Sequence, residues 1–434
     1  MSFSFKNGLP VLVAGALSLC ISASAQDKAS VEVHGFIRNY YAFDTREGVK
    51  MTDDLFFYIP YDENIVDGDD LQEQNTFRTG ALTSRLWVET KGYEVEGLSV
   101  SSRIEFDFYT GLSSTDKVSG TATCRLRQAF VTFGKDSWSA KLGQAWHPMA
   151  ADMVDVFSLS TGSPFGPFGR NPLVQYDMHV HGPWSITAAL LWQMQYNSAG
   201  PDGSSAKYIK WGCTPETYVG LNYKSGGLTA KAGVDVSSIA PRIRNKAGAR
   251  VSERVTSVSP FVFVGYNKGD FSIKAKSILA QDGSHMNLNG GYAIVGGDEA
   301  TGYTYAPSRN SSSWVSLSYG KKWQFILFGG YVKNFGVRGI ALEESSSESE
   351  SSDVDKPLGL YWCKHSFDNM NSMWRVTPSI VRNLGKLQFG VEYEMTTARY
   401  GDKSQGINPD NGLYDSGLHN VTNHRVQAIV KYSF

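Results

Sequence analysis

Apolar and polar residues alternate along the chain in segments of about ten positions. In residues 100–108, Val, Ile and Phe side chains fall on one face, while Arg103 and Asp107 fall on the other. Residues 387–395 repeat the pattern, and residues 426–434 keep it up to the carboxyl terminus, which is an aromatic. A period of two residues predicts β-strands with one apolar and one polar face.

A soluble antiparallel sandwich also has such strands, but two features favour a barrel in a membrane. Aromatic residues stand at the ends of the apolar faces, as in the interfacial girdles of membrane barrels. They are Trp184 with Tyr196, Trp323 with Tyr331, and Tyr432 with Phe434. The polar faces carry full charges in mid-strand, which the dry core of a sandwich would not hold unpaired.

The connections between these strands alternate in length. Short ones lie near residues 94–97, 134–137, 181–183, 225–227, 267–270, 320–322 and 383–386. Long ones lie near residues 45–78, 110–121, 148–172, 197–215, 238–253, 282–311, 335–369 and 400–420. The pattern predicts an all-β fold, a transmembrane antiparallel barrel of about 16 strands with short periplasmic turns and long extracellular loops.

The amino terminus predicts export. Lys6 precedes an apolar run, and Ala23-Ser24-Ala25 fits a cleavage site, so residues 1–25 are a predicted signal peptide. A lipoprotein anchored through Cys20 is the alternative. Residues 26–434 are then the barrel, located in the outer membrane of a Gram-negative cell. They contain no apolar run of helix-spanning length, which argues against transmembrane helices.

Composition and motifs narrow the function. The chain has 22 Tyr, 23 Phe and 44 Gly, which suits pleated surfaces and tight turns. A formal net charge of −1 gives no reason to expect nucleic acid as a partner. No catalytic or nucleotide-binding motif stands in a suitable context, so we predict no enzyme activity and no cofactor. A barrel hydrolase with a Ser/His pair on its rim is the alternative.

Two minor features leave alternatives open. Asp177, His179 and His181 share one strand face, a spacing that could ligate a metal, but we interpret them as lining residues and predict no metal site. Three cysteines follow the signal peptide, and an odd number permits at most one disulfide. They are Cys124, Cys213 and Cys363.

The predicted inner face carries a ladder of arginines on the first four strands. They are Arg38, Arg85, Arg103, Arg125 and Arg127, and Lys274 and Lys276 point inward further along the chain. Guanidinium groups stay charged and grip carboxylates bidentately, so the ladder would attract anions. Alternatively, these arginines pair with Glu32, Glu89, Glu105 and Asp107 and only hold the wall together.

Two loops have unusual composition. Residues 148–172 are rich in Phe, Met, Gly and Pro, and we expect this loop to fold into the barrel, constrict it and bring Arg170 near the ladder. A surface loop packed on its neighbours is the alternative. Residues 335–369 contain a Ser-rich acidic tract and predict a disordered surface loop. Together with aspartates of the first loop, such as Asp62 and Asp70, it predicts an acidic outer rim.

The order of VHGFIRNYYAFD, TSRLWVET, SRIEFDFY, LRQAFVTFG and KLGQAWHPM resembles the DcaP-like trimeric porins. The resemblance implies a homotrimer, a loop folded into each pore, and passive diffusion of small anions such as dicarboxylates. It makes the five arginines, with Gln144 and Arg170, the candidate constriction residues. The long first loop and the acidic seventh loop depart from the family.

The sequence thus predicts an outer-membrane porin for small hydrophilic solutes, favouring anions, surrounded by outer-membrane lipid and lipopolysaccharide. The alternative function is a surface scaffold, adhesin or antigen that uses the barrel only to display its loops. An open pore separates the two.

Overall fold

The computed structural model describes residues 29–51, 56–109, 123–158, 161–193, 197–343, 356–363 and 366–434. The predicted signal peptide, the loop at 110–121, most of the acidic Ser-rich tract and the predicted girdle residue Tyr196 lie outside the described residues. Among the described residues, no helix is both long enough and apolar enough to cross a bilayer.

Sixteen long strands form the main sheet. They are β1 (Ser30–Asp44), β2 (Arg85–Val95), β3 (Leu98–Tyr109), β4 (Thr123–Lys135), β5 (Trp138–Trp146), β6 (Arg170–His181), β7 (Trp184–Leu191), β8 (Glu216–Ser225), β9 (Leu228–Ile239), β10 (Val255–Lys268), β11 (Phe271–Gln281), β12 (Arg309–Tyr319), β13 (Trp323–Gly336), β14 (Met370–Leu384), β15 (Leu387–Tyr400) and β16 (His419–Ser433).

Each strand pairs antiparallel with its neighbours in sequence, and the sheet closes on itself. The first strand pairs with β2 on one side and with β16 on the other, where Arg38 lies opposite Lys431. A short strand, Thr76–Gly80, pairs with residues 40–44 of β1, beyond the residues of β1 that pair with β2. Closure leaves no open edge, which a bilayer would not tolerate because each unpaired amide would lack a partner. The predicted 16-stranded transmembrane barrel is confirmed.

The alternation in sequence becomes an inside and an outside. On β10, Val258, Val262 and Val264 point outward and are 40 to 53% exposed, while Phe261 and Phe263 between them are buried. Charged groups such as Lys274 and Lys276 stay off the outer face, where each would cost about 2–4 kcal/mol at mid-bilayer. Exposed aromatics on the rim of short turns include Trp184, Phe271, Tyr319, Trp323 and Tyr432.

The carboxyl terminus takes part in closing the barrel. The N–H of Phe434 donates to the carbonyl of Gly35, and the N–H of Gly35 donates to the carbonyl of Phe434. The Phe434 ring lies over the Gly35 backbone, where a β-carbon would come within 2.5 Å of it. The last residue therefore keeps the strand period because it pairs with the first strand.

The long connections carry their own small elements. Helix α1 is Lys207–Gly212, and 3₁₀ turns lie at Gly283–Met286 and Lys403–Gln405. Strands Gly291–Asp298, Gly302–Pro307 and Leu360–Trp362 make a separate three-stranded sheet. Its Tyr292 and Ile294 pack with Tyr208 of α1 in an apolar cluster, which covers part of the long-loop end of the barrel.

Candidate functional site

The segment between β5 and β6, described at residues 147–158 and 161–169, lies inside the barrel. It leaves β5 at His147, yet its middle is held by strands on the far side of the sheet. The backbone N–H groups of Phe157 and Ser158 donate to the Glu392 carboxylate of β15, at 2.7 and 2.8 Å. Glu392 is buried, and Ser379 supplies a third donor to it at 2.9 Å. We call residues 147–169 the inward segment.

Lysines of the wall hold the first half of the inward segment. Lys231 on β9 lies 2.8 Å from the Asp152 carboxylate, and Lys274 on β11 lies 2.9 Å from Asp155. Lys276 is only 3% exposed, and its ammonium donates to the carbonyls of Met149 and Asp152. Lys276 therefore anchors the segment and does not line open lumen, contrary to the prediction.

Apolar packing holds the second half. Phe165 is fully buried against Phe328 and under the Arg375 guanidinium, whose central carbon is 5.0 Å from the ring centre. Gly330 on β13 makes room for it, because a β-carbon there would lie 2.4 Å from the Phe165 ring.

The arginine ladder forms an ion-pair network on β2, β3 and β4. At its centre Arg127 donates to the Glu105 and Asp107 carboxylates, at 2.6 and 2.5 Å. Its side chain is 5% exposed, and both carboxylates are buried. Arg127 reaches its partners because β4 bulges opposite Glu105, which lets Arg127 and Gln128 both be buried at the wall.

Three other arginines surround this centre and reach the lumen. Arg103 lies 2.6 Å from Glu105 and also pairs with Glu89, while Arg125 binds Asp107 at 2.8 Å. Arg85 lies 3.3 Å from Glu105. The side chains of Arg85, Arg103 and Arg125 are 26, 27 and 30% exposed. Among the described residues these four arginines bind Glu89, Glu105 and Asp107, whereas Glu32 pairs with Lys91 and His34, and three of the four guanidinium side chains stay partly exposed to the lumen.

Arg38 lies at the edge of this network and touches the inward segment. Its guanidinium donates to the carbonyl of Phe157. With Lys431 and Asp155 it lines a cavity of about 280 Å³ on one side of the segment. A cavity of about 340 Å³ on another side is lined by Lys141, Lys231 and Asp177, among others. Basic groups therefore border both cavities next to the segment.

Gln144 and Arg170, the two remaining candidates, have different surroundings. Gln144 lies on the outer face of β5, two residues from exposed Leu142, and its amide donates to the carbonyls of Leu126 and Arg127. Strand alternation puts Gln144 on the outer face, so it does not line the pore. Arg170 is 5% exposed, with its guanidinium over the rings of Trp146 and Phe168.

Arg170 does approach the ladder, through a shared aromatic ring. Its guanidinium carbon is 5.2 Å from the centre of the Trp146 ring, and that of Arg127 is 5.9 Å from the same ring. A charged group over an aromatic face is attracted by the ring quadrupole. Arg170 therefore fixes the end of the inward segment beside the ladder.

The acidic outer rim is partly neutralised by its neighbours. Asp62 pairs with His419 at 2.6 Å and accepts from Asn369, and Asp70 pairs with Arg46 at 2.7 Å. Burial alone would raise the pKa of Asp70, but backbone hydrogen bonds and the Arg46 ion pair lower it. These two carboxylates of the first loop are therefore held in pairs.

Asp177 and His179, singled out in the sequence, lie near the short-turn end of β6. Asp177 is held by Gln175 and Thr187, and His179 is exposed near a short turn. Within the described ranges the cysteines form no disulfide, with Cys363 buried and two others exposed.

The sequence placed Glu392 on a polar strand face but gave no sign of its role. Its partners Phe157 and Ser158 are backbone donors more than 230 positions away. Two acidic residues among the inward positions of β15, Glu392 and Glu394, are the local signal. The same holds for Asp152 and Asp155, whose lysine partners lie on distant strands.

Comparisons with known proteins agree with this architecture. No protein-family model matches the chain, and no curated protein matches it. Among solved structures, the outer membrane channel DcaP of Acinetobacter baumannii superposes with a TM-score of 0.62 at 17% identity, covering 95% of this chain and 99% of that chain. This chain has the fold of the DcaP channel.

A second likeness is weaker. In-vitro folded OmpT, an outer membrane protein of Vibrio cholerae, gives a TM-score of 0.50 at 11% identity, over 95% of this chain and 100% of that chain. At these identities the likeness concerns the fold. The resemblance seen in the sequence is confirmed at that level.

Proposed function

We propose that the protein is an outer-membrane porin through which small hydrophilic solutes diffuse passively, with a preference for anions. The observation that carries the proposal is the inward segment, tethered across the interior and facing a wall of arginines. A segment anchored in this way narrows the lumen without filling it, because the two cavities beside it remain. Solute passing there comes close to fixed positive charge.

The physical basis of the anion preference is the field in a narrow, wet channel. Arg103 and Arg125 are paired on one side, but more than a quarter of each side chain remains exposed to the lumen. In a confined space with low-dielectric walls, an excess of one sign of charge raises the local concentration of the opposite ion. The excess over Glu89, Glu105 and Asp107 is positive.

Dicarboxylates are the proposed solute class because spaced guanidinium groups suit two carboxylates at once. Each guanidinium presents donors in a planar fork that fits a carboxylate. The resemblance to DcaP-like porins supports this choice.

We also propose that the barrel assembles as a homotrimer in outer-membrane lipid and lipopolysaccharide, as the same resemblance implies. Light scattering of the detergent-extracted protein measures the mass of the assembly. Three chains per particle are expected, and a monomer would overturn this part.

A liposome-swelling assay tests the solute preference. Proteoliposomes are placed in isotonic succinate, or in an uncharged diol or a diamine of matching length. The proposal predicts faster swelling in succinate than in the diamine at low ionic strength, and a smaller difference at high salt, since screening shortens the reach of the charges. Equal rates for all three solutes would contradict the anion preference.

The same assay distinguishes a porin from the surface-scaffold alternative. A barrel that only displays loops gives no swelling in any solute, although it reaches the liposomes in folded form. Folding is checked by the heat-dependent shift of its gel mobility. Folded protein without swelling would overturn the porin proposal.

A further inference from the structure

Four buried ionisable side chains from four separate segments meet at one end of the inward segment. His147 begins that segment, Glu216 is the first residue of β8, Asp235 lies on the inner face of β9, and His285 belongs to the 3₁₀ turn after β11. All four residues are at most 3% exposed. Neither their burial nor their grouping is needed for solute passage.

The hydrogen bonds of His147 identify its protonation. The backbone N–H of Met149 donates to Nδ1 of His147 at 3.1 Å, so that nitrogen carries a lone pair. Its Nε2 lies 2.7 Å from Oε1 of Glu216 and must carry the proton to donate there. His147 is therefore a neutral donor that orients the Glu216 carboxylate.

His285 has the opposite arrangement. Its Nδ1 faces the carbonyl of Asp282 at 3.2 Å, and a carbonyl only accepts, so Nδ1 carries a proton. Its Nε2 points to Oε1 of Glu216 and Oδ2 of Asp235, at 3.4 and 3.5 Å. Among the described residues this nitrogen has no hydrogen-bond partner, and neither has Oε2 of Glu216 or Oδ1 of Asp235.

With His147 neutral, the described residues of the group supply at most one positive charge, on His285, against two carboxylates. Two carboxylates are buried, and in the part of the chain that the structure describes the ion pairs they make are with these two imidazoles. A proton on His285 would compensate one negative charge and leave the other in a buried site, which is costly. A divalent cation would compensate both.

The distances suit such an ion. Zinc binds imidazole nitrogen and carboxylate oxygen at about 2.0–2.2 Å, so tetrahedral ligand atoms stand about 3.3–3.5 Å apart. The two distances from His285 to the carboxylates fall in this range or at its edge. A backbone carbonyl on the far ring nitrogen is also the usual outer-shell partner of a metal-binding histidine.

We propose that Glu216, Asp235 and His285 bind one divalent transition-metal ion of the zinc class, with His147 orienting Glu216 from outside the first coordination sphere. The ion joins the β8–β9 wall to the turn at His285. The N–H of Phe168 donates to the carbonyl of Met286 in that turn at 2.7 Å. Both ends of the inward segment therefore depend on the site.

Metal content of the purified protein tests the proposal. The full chain in detergent is stripped with a chelator, equilibrated with buffered ZnCl₂ and analysed by mass spectrometry of the element. The expected result is about one zinc per chain, with affinity lowered at least about tenfold in Glu216→Gln and Asp235→Asn. His147→Phe, which removes the orienting donor and leaves the three ligands in place, is expected to lower affinity by about 10- to 100-fold.

The control is His34→Gln. His34 forms with Glu32 and Glu89 a partly exposed group whose ligand atoms lie within 4.8 Å of one another, and this change should leave zinc content unaltered. If the variants fail to fold, cobalt in the wild-type protein decides, since a tetrahedral site gives intense visible absorption. Zinc far below one per chain with no such absorption, or content unchanged in both carboxylate variants, would overturn the site. Neither readout measures transport, so a negative result would overturn the metal site without bearing on the porin function.

Discussion

Arg127 and Arg103 belong to the same network but differ in what surrounds them. Arg127 is almost fully buried and donates to two buried carboxylates, whereas Arg103 keeps more than a quarter of its surface in the lumen. Burial makes an ion pair costly to break, because the remaining charge has no water to solvate it. We therefore assign Arg127 to the wall, and Arg103 and Arg125 to the solute path.

This difference predicts losses of unfolding free energy of different size for two alanine variants. Arg127→Ala should destabilise the barrel by about 3 kcal/mol, because Glu105 and Asp107 lose their closest buried donor. Arg103→Ala should cost less than Arg127→Ala, because Arg103 is partly exposed and Glu105 keeps Arg127 and Arg85 as partners. Urea unfolding in detergent measures both. A larger loss for Arg103→Ala than for Arg127→Ala would contradict the division of roles.

At the scale of elements, the inward segment is a loop held in place by distant strands. Its tethers are of three kinds: a carboxylate that accepts from its backbone N–H groups, basic side chains that donate to its backbone carbonyls, and lysines that bind its aspartates. A loop of this composition would be unstable in water, because it would expose its aromatic residues. Its position therefore depends on the inner face of β9, β11 and β15.

Replacing the Glu392 carboxylate should loosen the segment. In Glu392→Gln the amide oxygen remains an acceptor but the amide nitrogen faces a backbone donor, so one of the bonds from Phe157 or Ser158 is lost. We expect larger and noisier single-channel conductance in planar bilayers. Ser379→Ala is the control, because it removes the third bond to Glu392 without touching the segment. Identical traces for Glu392→Gln and wild type would show that this tether is dispensable.

Closure of the barrel depends on one glycine. Gly35→Ala places a methyl group 2.5 Å from the Phe434 ring and 2.8 Å from the Arg85 carbonyl oxygen, so the β1–β16 seam must shift. We expect a lower melting temperature and slower barrel assembly on gels. Gly329→Ala is the matched control, since its β-carbon would meet a single atom at 3.7 Å. Equal melting temperatures for the two variants would contradict a tight seam.

At the scale of the molecule, the sequence predicts the barrel well and the site only in part. A bilayer imposes the two-residue period and the short turns, so strands, faces and closure are readable locally. The tethers are not, because Glu392 and Phe157 are 235 positions apart and one partner is a backbone group. Gln144 was assigned to the pore by resemblance, although the strand period carried on from Leu142 places it outside.

The burial of Lys276 also depends on residues that are distant in the sequence. The two-residue period places Lys276 on the inner face, where the structure has it. The inward segment covers the side chain, and the ammonium donates to carbonyls of that segment. Whether an inward charge lines the lumen or holds a loop depends on where that loop lies. A period of two residues contains no information about that.

Ion selectivity in a planar bilayer under a KCl gradient tests the central account most directly. The wild-type protein should give a reversal potential that favours chloride. Arg103→Ala and Arg125→Ala should each shift it toward zero, while Gln144→Ala, on the outer face, should not. A cation-favouring potential, or one that the two arginine variants leave unchanged, would show that the arginine wall does not govern passage through the pore.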